Sequence, residues 1–122
     1  MLSIAAGVRI YVYTRPADLR RGISGLSGLV REQLNADPLD GSLYVFINRR
    51  QDRMKVLHYE RGGFWLYYRV LEAGTFESLR PNDGAEAIEL DTTQLSMLLA
   101  GVSLVGSDRR RKRFALSRTQ AA

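Results

Sequence analysis

The chain has 122 residues, 45% apolar and 25% charged, with no cysteine and one histidine. That composition suits one ordinary globular domain with a core of its own. It excludes a disulfide framework, a thiolate metal centre and multi-histidine metal sites, and it makes a Ser/His/Asp triad improbable. The net charge is +5, and Asp108–Ala122 carries all of it, with six cations against one anion. Residues 1–61 hold ten cations and six anions, whereas residues 62–107 hold two and six. Such polarity points to nucleic acid or an acidic partner.

Met1–Gly7 lacks the charged flank and the apolar length of a signal peptide. No run approaches the roughly 18 apolar residues of a membrane span. A soluble, cytoplasmic protein with no membrane partner is expected.

Val8-Arg9-Ile10-Tyr11-Val12-Tyr13 alternates and is rich in β-formers, so it reads as a strand. Pro16 then suits the first turn of a helix, with Asp18 favourable to its dipole. Leu19, Ile23, Leu26, Val30 and Leu34 follow at spacings of four, three, four and four. They predict one apolar stripe on a helix of roughly 18 residues. Gly22, Gly25 and Gly28 form a second stripe on that helix. Each costs about 1 kcal/mol relative to alanine, so the stripe suggests the close approach of a partner. A broken helix, or packing on another element of the same domain, would also account for it.

Asn35-Ala36-Asp37-Pro38-Leu39-Asp40-Gly41 is turn chemistry. Leu43–Ile47 and Met54–Glu60 read as strands joined by the polar tip Asn48–Arg53, and the Arg61-Gly62-Gly63 turn leads to a third, Phe64–Leu71. Three strands with short turns make an antiparallel meander. Gly74-Thr75-Phe76 reads as a turn with a short strand after it, and Ala87-Ile88-Glu89-Leu90 as a last short strand. Asp91-Thr92-Thr93-Gln94 has the pattern of a capping box. Leu95, Leu98 and Leu99 face a core, and Gly101 ends that helix.

The expected fold is α+β: an antiparallel sheet of four or five strands, one long N-terminal helix packed on a face, and a short C-terminal helix at an edge or end. Residues 1–105 form the domain and residues 106–122 a flexible basic tail.

Arg109, Arg110, Arg111, Lys112 and Arg113 are five successive cations, the pattern of an arm that docks on phosphates. Arg49, Arg50, Arg53 and Lys55 put four more within seven residues at a hairpin tip, where a ribbon can enter a groove or straddle a backbone. Arg20 and Arg21 stand beside the glycine stripe. The aromatics Tyr59, Phe64, Trp65, Tyr67 and Tyr68 could stack unpaired bases, although strand aromatics more often pack a core. No P-loop, GxSxG or HExxH pattern occurs. The acids occupy cap, turn or alternating positions that do not predict a metal-binding cluster. No catalytic residue, metal site or cofactor is expected.

The pieces fall in a recognisable order. Pro16-x-Asp18-Leu19-Arg20-Arg21-Gly22, Leu26, Leu29 and Asp37-Pro38-x-x-Gly41 form a first block. Val45-Phe46, Arg49-Arg50, Asp52-Arg53-x-Lys55-Val56-Leu57 and Gly63-Phe64 form a second. Arg69-x-Leu71-Glu72-x-Gly74-x-Phe76 and Gln94-Leu95-x-x-Leu98-Leu99-x-Gly101 complete the series. In this order they resemble the transposase accessory protein B, the second reading frame, of the insertion-sequence-sixty-six group of bacterial mobile elements. His58-Tyr59 departs from the tryptophan common there.

The resemblance implies a non-catalytic role in transposing the element's own DNA, with a separate, larger protein carrying the catalytic acids. Its partners would be DNA, at the element ends and through the phosphate backbone, and the transposase and other proteins of the same element; self-association stays open. Two mechanisms fit. In one, Arg20, Arg21, Arg49, Arg50, Arg53, Lys55 and the tail bind phosphates. In the other, the helix striped with Gly22, Gly25 and Gly28, or the acidic second half, holds the transposase, as an adaptor without sequence-specific DNA binding. A small nuclease fits least, for want of a metal-binding cluster.

Overall fold

The computed structural model describes residues 4–80 and 83–101. Within them the chain forms β1 (Ile10–Tyr13), α1 (Ile23–Gln33), β2 (Leu43–Ile47), β3 (Arg53–Glu60), β4 (Gly63–Val70), β5 (Ala87–Leu90) and α2 (Thr92–Leu99). The tail expected over residues 106–122 lies outside the described residues.

The five strands make one sheet in the order β4-β3-β2-β1-β5. The β2–β3–β4 meander is antiparallel, as the turns predicted. Arg61 (φ 52°) and Gly62 (φ 82°) make the tight link between β3 and β4, both in the left-handed region that two-residue hairpin loops use. The sheet as a whole is mixed, which corrects the antiparallel expectation. β1 runs parallel to β2, with Ile10 opposite Leu43, and β5 returns antiparallel to β1 on its other side. A helix joins β1 to β2, and such a crossover over one face delivers the next strand parallel.

Every residue of β2 is buried, because both faces of the sheet are covered. Leu43, Val45 and Ile47 join Ile10, Val12, Met54, Val56 and Phe76 in a core closed by Leu95 and Leu98 of α2. Tyr44 and Phe46 join Tyr13 and Leu57 in a second core closed by Leu26 and Val30 of α1. The helices therefore lie on opposite faces, so α2 covers a face and not an edge. Phe76, expected in a turn, is fully buried, and residues 76–80 form no strand.

The N-terminal helix is shorter than its apolar stripe predicted. It has 11 residues and begins after an extended Gly22 (φ −96°, ψ −157°). Residues upstream are already engaged. The Ala17 amide donates to the Ile47 carbonyl at 2.9 Å, and the Asp18 carboxylate accepts the Arg20 amide at 3.0 Å. Leu19 still packs against the α1-side core, but from a loop. The capping box of α2 is formed as expected, with Gln94 N to Asp91 Oδ1 at 2.7 Å and Asp91 N to Gln94 Oε1 at 2.9 Å. Gly101 (φ 78°) follows its last turn, and its amide donates to the Leu98 carbonyl at 3.1 Å.

Candidate nucleic-acid interface

The parallel pair sets the site. Because β1 and β2 run the same way, both carboxyl ends lie at one end of the sheet. The start of β3 and the end of β4 lie there too. Loop 14–22 and tip 48–52 thus meet beside Arg53 and Tyr68. Between them opens a groove of about 590 Å³ lined by Arg20, Arg49, Arg50, Arg53 and Tyr68, with Asp18 and Asp52 as its acids.

Both segments are pinned. Thr14 bonds through N and Oγ1 to the carbonyls of Glu86 (3.0 Å) and Ala85 (2.8 Å), and Arg15 pairs with Glu86 at 2.9 Å. Ala17 is tied to Ile47 as above, and Lys55 Nζ donates to the Arg21 carbonyl at 3.1 Å. At the tip, one side chain organises the turn. Asn48 Oδ1 accepts the amides of Asp52 and Arg53, both at 3.0 Å, while its Nδ2 donates to Asp52 Oδ1 at 2.8 Å. Gln51, at φ 63°, closes the turn onto the Asn48 carbonyl at 3.0 Å. It also holds Phe76 through two bonds, Phe76 N to Gln51 O at 2.6 Å and Gln51 Nε2 to Phe76 O at 3.1 Å.

Both acids of the groove have local partners, Asp18 an arginine and Asp52 a neutral amide. Asp18 takes Arg20 in two parallel bonds, Nε to Oδ1 at 3.0 Å and Nη2 to Oδ2 at 2.9 Å. Those bonds, with the one from the Arg20 amide, hold the Asp18 carboxyl down at about 2, and the pairing raises the guanidinium in turn. Asp52 faces the Asn48 amide. Arg49 and Arg50 stand exposed at the tip, and among the described residues neither carries an ion pair. Arg53 Nη1 donates to the Tyr68 hydroxyl at 3.0 Å. Lys55 Nζ lies 5.2 Å from the Tyr68 ring centroid, within cation–π range. The guanidinium groups of Arg20 and Arg53 are held by hydrogen bonds, and those of Arg49 and Arg50 project from an ordered turn.

The residues expected on phosphates thus divide into three sets. Arg20, Arg49, Arg50 and Arg53 line one groove, although they come from separate segments. Lys55 and Arg21 stand beside it, with the Arg21 side chain lying back along α1, its Nη1 3.5 Å from the Gly25 carbonyl. Arg109, Arg110, Arg111, Lys112 and Arg113 lie outside the described residues.

The glycine stripe divides as well. A β-carbon on Gly25 would meet the Arg21 stem at 3.0–3.3 Å, so Gly25 makes room for that side chain. Gly22 caps α1. Gly22 and Gly28 would meet nothing within 4 Å.

Of the aromatics, Phe64 packs edge-on to Tyr59 at 5.1 Å and adds to the α1-side core. Tyr67 adds to the other core and stacks on Trp65 at 6.1 Å. Tyr68 is the aromatic that sequence reasoning did not place with the arginines. The signal was present: counting back from the Arg61–Gly62 turn pairs Tyr68 with Lys55. His58 is buried on the other face, opposite Trp65, and lies outside the groove. Among the described residues no three His, Cys, Asp or Glu side chains gather where a metal ion could be held, and no helix is long and apolar enough to cross a membrane.

Comparison with known proteins agrees with the motif series. Residues 8–109 match the family described as IS66 Orf2 like protein. An uncharacterized protein of Sinorhizobium fredii, y4jC, is 37% identical over 102 residues, covering 84% of this chain and 86% of its own length. A second from the same organism, y4hO, is 35% identical over 102 residues, covering 84% and 87%. No solved structure matches. The family match takes in both halves of the arginine groove and every strand and helix of the fold, and the chain belongs to the IS66 Orf2-like family.

Proposed function

We propose that this chain is a non-catalytic accessory factor of insertion-sequence transposition that acts in the cytoplasm and binds the element's DNA through its arginine groove. The observation that carries this reading is convergence: Arg49, Arg50 and Arg53 from the tip meet Arg20, which is paired with Asp18, from the other loop around one groove. In this reading residues 1–105 work as one domain. The cations at 109–113 act as an arm that adds sequence-independent affinity, because a run of guanidinium groups meets phosphates and not base edges.

A salt series tests it. Through counterion release, each phosphate that a side chain neutralises steepens the log–log dependence of affinity on salt by about 0.9. Binding to element-end DNA is measured for the full chain, for a truncation after Ser107, and for R49A/R50A in both backgrounds. The double substitution should flatten the slope by about 1.8. A slope that responds to the truncation alone would assign phosphate binding to the arm and remove the groove from the reading.

A second reading draws on the open backbone at Gly28, which packing inside the described chain does not explain. Here α1 seats the transposase as an adaptor. Failure of every form to bind DNA, together with co-purification of the transposase that G28A abolishes, would favour it.

A further inference from the structure

We infer that the groove takes a DNA strand with an unpaired base, and that Tyr68 is the platform on which that base stacks; the inference rests on the reading of the groove as a DNA site. Tyr68 lies on β4, an edge strand paired on one side by β3. The residue is 51% exposed, whereas Phe64 and Leu66 of the same strand face pack against the α1-side core. An exposed aromatic ring forgoes the burial that stabilises its neighbours, so its position wants a reason.

Its surroundings supply one. Arg53 holds the hydroxyl at 3.0 Å, and the Lys55 ammonium sits 5.2 Å from the centroid. Lys55 is itself tied to the Arg21 carbonyl. The ring is thus fixed in orientation while about half of the residue stays open, and a preorganised platform avoids the ordering cost of binding. It shares a groove with Arg20, Arg49 and Arg50, which can track a phosphate backbone.

A charged track beside a fixed aromatic face is the combination that grips single strands, because every base has a π-face and an unpaired one can reach it. A paired duplex keeps those faces inside its stack and offers only base edges. Trp65 provides an internal comparison. It is 53% exposed but lies on the opposite sheet face, stacked on Tyr67 and away from the groove.

The test uses the full chain and three fluorescent probes of one sequence: a DNA strand, its duplex, and the strand as RNA. Wild type should bind the DNA strand more tightly than the duplex. Y68A should weaken strand binding about 5- to 150-fold, the range of base–aromatic stacking, and weaken duplex binding by a clearly smaller factor, since Tyr68 also holds Arg53 and Lys55 in the groove. Y68F, which keeps the ring and loses the Arg53 bond, should retain most of the strand binding that Y68A loses, and W65A should behave as wild type. A 2-aminopurine in the strand should be quenched by wild type and Y68F but not by Y68A. Equal weakening by Y68A on strand and duplex, or none, would overturn the inference, as would duplex preference in wild type. Tighter binding of the RNA would overturn the assignment to DNA. If wild type binds none of the three, the DNA reading of the groove itself fails, an outcome distinct from all of these.

Discussion

Replacing Asn48 with alanine should loosen the tip that carries Arg49 and Arg50. The side chain makes three hydrogen bonds, two from the amides of Asp52 and Arg53 and one to the Asp52 carboxylate. A net value of about 0.5–1.5 kcal/mol each would give roughly 1.5–4.5 kcal/mol. The site is part-buried, so water recovers some of this, and about 1–3 kcal/mol remains as the expected loss. For a domain of this size about 1 kcal/mol moves the melting midpoint by roughly 4–8 °C, so N48A should melt about 5–20 °C lower. Thermal and urea unfolding followed by circular dichroism measure it, with the urea slope unchanged if the native state keeps its compactness. If the groove binds DNA as proposed, affinity should fall as well, because mobile arginines must be ordered on binding. A midpoint within about 1 °C of wild type would refute the reasoning and show that Gln51 and Phe76 hold the tip without Asn48.

Three further outcomes are expected. The Asp18 carboxyl, held near 2 by Arg20, should stay ionised in acid; its contribution to the loop is complete above the ordinary carboxylate range and fades as pH falls toward 2. An NMR titration should show this midpoint and its return toward the ordinary aspartate range in R20A; an unmoved midpoint in R20A would remove the pair as the cause. Gly28→Ala fills open space on a helix and should stabilise the protein by about 0.5–1 kcal/mol in urea unfolding. A destabilised variant would mean that the helix backbone there is not free. Phe76→Ala removes a fully buried ring and should cost about 3–5 kcal/mol, whereas a cost below about 1 kcal/mol would contradict its place in the core.

What could be read in the sequence was what neighbours in the chain decide. The Arg61–Gly62 turn, the strand-like run Met54–Glu60 and the Asp91–Gln94 capping box are short-range signals, and the elements stand within a residue of where they put them. The parallel pairing of β1 with β2 depends on how a helical crossover lies over a sheet, which no local pattern records. The start of α1 is hidden for a related reason. The stripe beginning at Leu19 has helical spacing, but the Ala17 amide is taken by Ile47, far along the chain. Phe76 is masked by its Gly-Thr neighbours, which read as a turn, while its burial comes from Gln51 and the α2-side core. The arginines of the tip are legible as a charge cluster. Their meeting with Arg20 and Tyr68 is not, because it follows from topology.

The position of β1 has a consequence for how the protein must be made. It is the second strand from one side, and its outer partner is β5, which sets Ala87 against Tyr13. A ribosome delivers β1 first and β5 almost last, so for most of synthesis the first strand offers a row of unpaired amides to any passing chain. α2, which covers the face that carries Leu43 and Val45, arrives later still. A gene copy interrupted upstream of residue 87 would therefore yield no smaller working protein. Its product would expose a raw sheet edge beside an uncovered apolar face, a species for proteases and aggregates.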